Sequence, residues 1–220
     1  MSAQEVVIPL RGVQLEAQID LPGEALGLVV FAHGSGSSRH SSRNQFVART
    51  LQKAGLGTLL MDLLTPAEEQ AEAQTRHLRF DIPLLAKRLA GATRWALDQC
   101  TTRDLAVGFF GSSTGAAAAL VAAAELRELI RAVVSRGGRP DLAGAALERV
   151  LAPTLLLVGG DDIPVLPLNE EAYDKLKCEK ALRIIPGASH LFEEPGALEI
   201  VAKMASEWFA NHLQPMARRL

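Results

Sequence analysis

Two serines lie between glycines in the segment GFFGSSTGAAAAL, residues 108–120. The residues from Gly111 to Gly115 match the pattern G-x-S-x-G with Ser113 at its centre, between an apolar stretch and an alanine-rich one. A tight strand-to-helix turn needs glycines where it is crowded, and it would expose the Ser113 hydroxyl as a nucleophile. The backbone N–H of Thr114 would then help to stabilise an oxyanion. A turn of small residues that packs a helix against a sheet has the same pattern, so this segment alone leaves both interpretations open.

A second glycine-rich loop follows an earlier apolar stretch in FAHGSGSSRHSSRN, residues 31–44. Because glycines let backbone N–H groups turn inward, we predict that the N–H of Ser35 is the second oxyanion donor. We expect His33 to shape this loop rather than to transfer protons. An ordinary strand-to-helix connection or a phosphate nest are the alternatives. The phosphate-binding patterns G-x-x-x-x-G-K-[ST] and G-x-G-x-x-G do not occur here.

Two further loops offer an acid and a base. Asp161 and Asp162 follow the apolar run in LLLVGGDDIPV, residues 155–165, and His190 follows the next one in IIPGASHLFEEPG, residues 184–196. A carboxylate could orient the histidine, which would then act as the base for a serine nucleophile. Aspartates also cap turns after glycines, and the residues alone do not separate Asp161 from Asp162.

Several arginines lie in the loops that would surround such a site. They are Arg39 and Arg43 in the second glycine-rich loop, residues 31–44, and Arg136 and Arg139 in SRGGRPD. Guanidinium groups could hold a carboxylate or phosphate of a substrate through paired hydrogen bonds. We favour the alternative that they are surface arginines paired with nearby acids and helix ends.

The elements around these loops predict an α/β fold. Val6–Leu10 and Val13–Leu21 form a predicted antiparallel hairpin, after which short apolar strands alternate with helical segments. The predicted helices run from Ser42 to Lys53, Ile82 to Gln99, Thr114 to Glu125, Leu142 to Val150, Leu168 to Lys177 and Pro195 to His212. The alternation implies a doubly wound, mostly parallel sheet, in which ligands bind beyond the carboxyl ends of the strands. The longest polar connection, residues 66–81, is expected to run over the surface, near the edge of the sheet where ligands bind.

Length and composition limit the classes of function. The 220 residues are 48% hydrophobic and 22% charged, as in one globular domain, which we place at residues 1–220. A net charge of −2 gives no general attraction to nucleic acid or to a membrane surface. The chain starts without a basic, apolar leader, so we expect a cytoplasmic protein. Cys100 and Cys178 form no disulfide or zinc pattern, and no metal or organic cofactor is expected. Nothing identifies a dimer interface, although a homodimer is the commonest assembly.

Taken together, the segments AHGSGSSRHSSRN, DLLTP, GFFGSSTGAAAAL, SRGGRPDLA, PTLLLVGGDDIPV and PGASHLFEEPGAL resemble the dienelactone-hydrolase-like branch of the α/β-hydrolases. The order Ser, Asp, His is the one expected of that fold. The chain is similar to small members without a cap domain, some of which are fused to phosphoribosyltransferase domains. The resemblance places the acid at Asp162, since similar proteins read V-G-G-x-D-x-P-V after this strand.

The resemblance implies a serine hydrolase that cleaves a carboxylic ester, or a related acyl bond, of a small substrate. True dienelactone hydrolases use a cysteine nucleophile, whereas this chain has Ser113, so their particular substrate is not transferred. A thioesterase, peptidase or carbon–carbon bond hydrolase would use the same three residues. A binding protein that keeps the fold without the chemistry is the alternative from another class.

Overall fold

The computed structural model describes residues 3–214, and eight strands within that range form a single sheet. The strands are β1 (Gln4–Leu10), β2 (Val13–Asp20), β3 (Leu28–Ala32), β4 (Gly57–Met61), β5 (Val107–Ser112), β6 (Ile130–Arg136), β7 (Thr154–Gly159) and β8 (Lys180–Ile185). Their order is β1-β2-β4-β3-β5-β6-β7-β8. The β1/β2 and β2/β4 pairs are antiparallel and the remaining pairs are parallel. The prediction of a mostly parallel sheet with an antiparallel hairpin at its start is confirmed.

Helices cover both faces of the sheet. They are α1 (Ser42–Lys53), α2 (Pro66–Thr75), α3 (Ile82–Leu97), α4 (Thr114–Leu126), α5 (Leu166–Lys175) and α6 (Ala197–His212). The core on one face includes Leu89 of α3 and Leu120 of α4, and the core on the other includes Leu51 of α1 and Phe209 of α6. Every residue of β3, β4, β5 and β7 is buried, which is why these strands read as continuous apolar runs. No helix of residues 3–214 has both the length and the apolarity that crossing a bilayer requires.

Two segments differ from the predicted elements: one surface connection contains a helix that was not predicted, and one predicted helix is a 3₁₀ segment. The polar connection at residues 66–81 contains α2 and a short 3₁₀ segment, Leu78–Phe80. Helix α2 begins there because Thr65 and Glu68 form a reciprocal capping box and Pro66 occupies the first turn. The expected helix Leu142–Val150 is instead a 3₁₀ segment, Pro140–Arg149, which is interrupted at Gly144 with φ of 53°. A residue with positive φ cannot continue a helix.

The parallel strands end along one edge of the sheet. The loops after β3, β5, β7 and β8 lie on that edge, because neighbouring strands run in the same direction from β4 to β8. These are the loops that carry the predicted oxyanion donor, nucleophile, acid and base. No separate cap domain covers them within residues 3–214.

Candidate active site

Ser113 occupies a sharp turn between β5 and α4. Its φ of 50° and ψ of −125° lie outside the ordinary range for a residue with a side chain. The flanking glycines explain how the turn forms: a Cβ at Gly111 would lie 2.5 Å from Cα of Ala116, and a Cβ at Gly115 would lie 2.2 Å from the carbonyl oxygen of Ala32. The glycines are therefore required by close packing, and the turn is a strained one in which the serine is held at the apex.

The loop after β3 lies directly against this turn. A Cβ at Gly34 would be 2.8 Å from Cβ of Ser113, and the Ser35 and Thr114 hydroxyl oxygens are 3.1 Å apart. The N–H of Ser35 donates to no backbone carbonyl of residues 3–214. The N–H of Thr114 is in the first turn of α4, where no acceptor exists within the helix. Both predicted donors thus lie beside Ser113 with their N–H groups unused by backbone hydrogen bonds.

His33 holds this loop to its neighbour. The side chain is buried, and its Nε2 accepts a hydrogen bond from the backbone N–H of Leu63 at 2.9 Å, while Nδ1 lies 2.9 Å from the carbonyl oxygen of Gly34. Because Nε2 accepts, the ring proton is assigned to Nδ1 and the imidazole is neutral. His33 therefore connects the loops that follow β3 and β4 and has no free nitrogen for proton transfer.

The structure separates the two aspartates. The carboxylate of Asp162 is buried and its Oδ2 accepts a hydrogen bond from Nδ1 of His190 at 2.7 Å. Asp161 is exposed, and its backbone N–H donates to the carbonyl oxygen of Ala188 at 3.0 Å. Asp162 is accordingly the residue placed to fix the ring orientation of His190, which leaves Nε2 for proton transfer.

Two glycines outside the elbow allow the histidine loop to approach the sheet. A Cβ at Gly159 would lie 2.2 Å from the carbonyl oxygen of Ala188. Gly137, with φ of 49°, lies behind the histidine, where a Cβ would be 3.0 Å from the carbonyl oxygen of His190. The glycine pairs in SRGG and VGG are typical of turns. Their contacts with the loop that carries His190 join segments that are far apart in the chain, so the sequence alone does not predict them.

The three predicted catalytic side chains and both oxyanion residues line one open cleft of about 510 Å³. No hydrogen bond joins Ser113 to His190 among the bonds formed within residues 3–214. The histidine side chain is 37% exposed at the cleft, so substrate and water can reach it. Catalytic hydrogen bonds often shorten only when substrate is bound, so the cleft geometry is compatible with proton transfer.

The sequence interpretation expected residues 66–81 near the working edge of the sheet but named none of the residues through which this segment forms part of the cleft wall. Arg76, at the C-terminal cap of α2, and Arg79 and Phe80, in the 3₁₀ segment that follows, line it together with Pro164 and Val165. The Thr65–Glu68 capping box was the signal in the sequence that this polar segment folds into a helix.

The four predicted arginines have different surroundings. Arg139 lines the cleft, but its guanidinium donates two hydrogen bonds to the Asp141 carboxylate, at 2.9 and 2.8 Å. Arg39 lies outside the cleft lining and is held by the carboxylates of Asp62 and Glu16. Both arginines thus pair with nearby acids, in agreement with the interpretation that they have structural partners rather than a substrate.

Arg43 and Arg136 are also outside the cleft lining. Nη1 of Arg43 donates to the Glu193 carboxylate at 2.9 Å. Arg136 is buried at the end of β6, with 7% of its surface exposed. Burial, and then the nearby positive charge of Arg43, lower the pKa of Arg136 to about 10.

Comparison with solved structures identifies proteins of the same shape. A dienelactone hydrolase from Anabaena variabilis is 58% identical, with a TM-score of 0.95 over 97% of this chain and 99% of that one. Est1E from Butyrivibrio proteoclasticus is 18% identical, with a TM-score of 0.78 over 94% and 98% of the two chains. A serine hydrolase without a lid from Xanthomonas campestris is 20% identical, with a TM-score of 0.76 over 96% and 95%. The last two show a shared fold only.

Comparison with curated proteins identifies a relative in Mycobacterium tuberculosis that is described as a phosphoribosyl transferase. It is 55% identical over 210 residues, which make up 96% of this chain and 46% of that protein. The chain therefore spans about half the length of the curated relatives it matches. No protein-family model matches the sequence.

Proposed function

The chain belongs to the dienelactone-hydrolase-like branch of the α/β-hydrolases, and on that premise we propose that it is a serine hydrolase that cleaves a carboxylic ester of a small substrate. The observation that carries the proposal is the strained turn at Ser113 in the same cleft as the hydrogen-bonded pair Asp162–His190. Packing of α4 against the sheet would explain the turn, but it would not explain why the buried Asp162 carboxylate is hydrogen-bonded to His190 in the same cleft.

In the proposed reaction, Nε2 of His190 takes the hydroxyl proton of Ser113 while Oγ forms a bond to the ester carbonyl carbon. The carbonyl oxygen becomes an oxyanion that accepts hydrogen bonds from the N–H groups of Ser35 and Thr114. Asp162 accepts the Nδ1–H of the ring and stabilises the imidazolium. The imidazolium then protonates the leaving alcohol as the carbon–oxygen bond breaks, which yields an acyl-serine.

Water completes the cycle. His190 accepts a proton from a water molecule, whose oxygen attacks the acyl carbon, and the second oxyanion is held by the same two N–H groups. When the oxyanion collapses, the bond to Ser113 breaks and the imidazolium returns a proton to Oγ. This step releases the carboxylic acid and regenerates the Ser113 hydroxyl.

The serine distinguishes this chain from true dienelactone hydrolases, which use cysteine at the nucleophile. Cys100 is exposed after α3, and Cys178 lies just before β8, where burial raises the pKa of its thiol. Neither cysteine lines the cleft. A thiolate nucleophile therefore has no counterpart here, and the proposed covalent intermediate is an ester of Ser113.

The cleft suggests which esters would bind. Its volume of about 510 Å³ suits a small molecule, and no cap lies over it within residues 3–214. Phe80 provides an exposed apolar ring on the wall, and Arg76 provides an exposed guanidinium. Arg79 is paired with Glu72, and Arg139 is paired with Asp141. We therefore propose that the cleft accepts uncharged aryl esters and that a carboxylate on the substrate would form an ion pair only with Arg76.

A fluorophosphonate probe tests the assignment of the nucleophile. The wild-type protein should become labelled on Ser113, the Ser113→Ala variant should not, and Ser112→Ala should label like the wild type. Turnover of short-chain aryl esters should fall by roughly 10⁶-fold in Ser113→Ala if the three residues act as in other serine triads. Thermal unfolding of each variant checks that it is folded.

Two results would decide against the proposal. A folded wild-type protein that neither labels nor turns over any ester would favour the binding protein without chemistry. Labelling of Ser113 together with turnover of thioesters, but not of oxygen esters, would keep the nucleophile and change the substrate class. The panel therefore pairs each aryl ester with its thioester and each neutral ester with a carboxylate-bearing one.

A further inference from the structure

Asn169 is a buried amide side chain to which the proposed reaction gives no role. It lies in α5, and none of its surface is exposed. Its Nδ2 donates hydrogen bonds to the carbonyl oxygens of Gly138, at 3.1 Å, and Val165, at 3.0 Å. Because a carbonyl oxygen only accepts, the amide nitrogen and not the amide oxygen is assigned to the position between them. The bond to Gly138 joins α5 to a distant loop.

The rest of the amide indicates that its donors are what this position requires. Oδ1 of Asn169 is buried and has no hydrogen-bond partner among residues 3–214. Burying an unpaired polar atom costs free energy, which an apolar side chain of similar shape would avoid. The carbonyl oxygen of Val165 already accepts the backbone N–H of Asn169 at 3.1 Å. The bond to Gly138 is therefore the one that explains an asparagine here.

The segment that Asn169 binds also holds the backbone of Ser113. This segment, called the β6 loop, comprises residues 136–139 and starts at the last residue of β6. The N–H of Ser113 donates to the carbonyl oxygen of Arg136 at 3.3 Å, and the N–H of Arg139 donates to the carbonyl oxygen of Ser113 at 3.0 Å. Both backbone polar groups of Ser113 are thus bonded to the β6 loop, so a shift of the loop would displace the serine.

The β6 loop also contacts the loop that carries His190. A Cβ at Gly137 would lie 3.0 Å from the carbonyl oxygen of His190, and a Cβ at Gly138 would lie 2.6 Å from Cβ of Ala116, in the first turn of α4. The β6 loop therefore lies between the turn of Ser113 and the loop of His190. Two consecutive glycines leave its backbone free to take many conformations, so a bond from outside the loop is needed to select one.

Helix α5 connects this anchor to the turn that carries the acid. The carbonyl oxygen of Asp162 accepts the N–H of Val165 at 2.9 Å and the N–H of Leu166, the first residue of α5, at 3.0 Å. Asn169 lies one helical turn beyond Val165. Its amide thus links the element that begins at the Asp162 turn to the loop that holds Ser113.

We propose that Asn169 is a positioning residue, whose hydrogen bond to Gly138 fixes the β6 loop and so the separation between the Ser113 hydroxyl and Nε2 of His190. The inference rests on the proposed function, because it assigns Asn169 a part in the same reaction. The side chain does not line the cleft, so it acts through the backbone of Ser113 and not on a substrate.

Asn169→Thr tests the bond to Gly138. A threonine hydroxyl can still donate to the carbonyl oxygen four residues earlier, that of Val165, but it is too short to replace the amide at Gly138. Since a misplacement of 1 Å costs about 10²-fold in rate, a smaller shift should reduce fluorophosphonate labelling and kcat for an aryl ester about tenfold, with KM unchanged. Thr93→Val is the matched control, because it removes a buried side-chain hydrogen bond to Leu89 in α3; it should label like the wild type.

The pH dependence of labelling separates the nucleophile from the base. The midpoint of this profile reports the protonation of His190, whose bond to Asp162 the substitution does not touch. The midpoint should therefore be the same in Asn169→Thr and the wild type. A shifted midpoint would overturn the proposal, since the loss would then arise at the Asp162–His190 pair. A folded Asn169→Thr protein that labels at the wild-type rate would also overturn it.

Amide hydrogen exchange gives a measurement that needs no activity. The N–H of Arg139, which donates to Ser113, should exchange with solvent about tenfold faster in Asn169→Thr than in the wild type or Thr93→Val. Equal exchange in Asn169→Thr and the wild type would refute the anchoring of the loop, even if labelling were slower. A wild-type protein that neither labels nor turns over esters would refute the proposed function, while the exchange rates would still show whether Asn169 holds the loop.

A second variant covers a failure to fold. Asn169→Ser, which lacks the additional methyl group of threonine, replaces Asn169→Thr in both measurements if the latter does not fold. If neither variant folds, Asn169 is required for the fold itself and the positioning role is refuted.

Discussion

Replacement of Gly115 by alanine tests whether backbone packing holds the proposed nucleophile, Ser113, against the proposed oxyanion loop. Gly115 is the second residue of α4, and a Cβ there would lie 2.2 Å from the carbonyl oxygen of Ala32 and 2.4 Å from that of His33. Its φ is not in the left-handed region, so the conformation itself tolerates alanine. The substitution therefore isolates one effect, the separation between α4 and the chain that leads to Ser35.

The size of the effect follows from that separation. Contacts of a Cβ below 3.0 Å are essentially never seen, so the helix and the loop must move apart by about 0.8 Å or more. Overpacking of this kind costs about 1–3 kcal/mol in the free energy of unfolding, because the contact is with backbone that cannot change rotamer. A shift approaching 1 Å between the proposed nucleophile and the proposed oxyanion donors should reduce the rate of the reaction at Ser113 by about 10²-fold.

The assay compares the rate of fluorophosphonate labelling with the Tm in the same preparation. Gly115→Ala should label about 100-fold more slowly, and its Tm should fall by about 2–4 °C for each kcal/mol lost. Gly91→Ala, in the middle of α3, is the matched control, because its Cβ would meet only the flexible end of the Leu10 side chain at 2.9 Å. A folded Gly115→Ala protein that labels at the wild-type rate would refute this account of the elbow.

Two other predictions follow from the geometry of single carboxylates. Asp162→Asn should lower kcat by about 10⁴-fold, since the amide favours the wrong histidine tautomer, whereas Asp161→Asn should stay near wild type; equal losses in ester turnover would contradict the assignment. Hydrogen bonds from Arg88, chiefly, lower the pKa of Glu68 to about 2, so its contribution to stability is present above pH 4.5 and is lost as the pH falls toward 2. In denaturant titrations, the free energy of unfolding of Glu68→Gln should accordingly be about 1–2 kcal/mol below that of the wild type at pH 7, and this difference should shrink at pH 3. Glu69→Gln should show neither effect.

The sequence was sufficient for the fold and for the order of the site loops. Buried strands in a doubly wound sheet are apolar on both faces, and this leaves a signal in consecutive residues. The turn around Ser113 is equally local, because both glycines that it needs lie within two residues of the serine. Helix α2 could also be predicted from the sequence, because Thr65 and Glu68 have the spacing of a capping box.

Other features depend on residues that are far apart in the chain. Whether Arg39 binds a substrate or a structural carboxylate is decided by Asp62 and Glu16, which the sheet brings to it. The separation of Asp162 from Asp161 depends on which carboxylate faces the histidine loop, 28 residues further along. Propensity and periodicity carry no information on such contacts, and only the resemblance to known hydrolases supplied the choice of aspartate.

The same kind of distant contact explains how the loops of the proposed active site are held, although no cap domain lies over them within residues 3–214. Gly115 lets α4 approach the loop after β3, and Gly159 lets the end of β7 approach the loop after β8. In each case a side chain is absent where two backbone segments meet, so close backbone contact positions the loops in addition to side-chain hydrogen bonds such as the one that His33 accepts from Leu63. The hydrogen bond between Asp162 and His190 then orients the imidazole ring within the loop after β8, which the backbone contacts hold in place. It follows that substitutions at these glycines should impair labelling of Ser113 even though none of them touches a substrate.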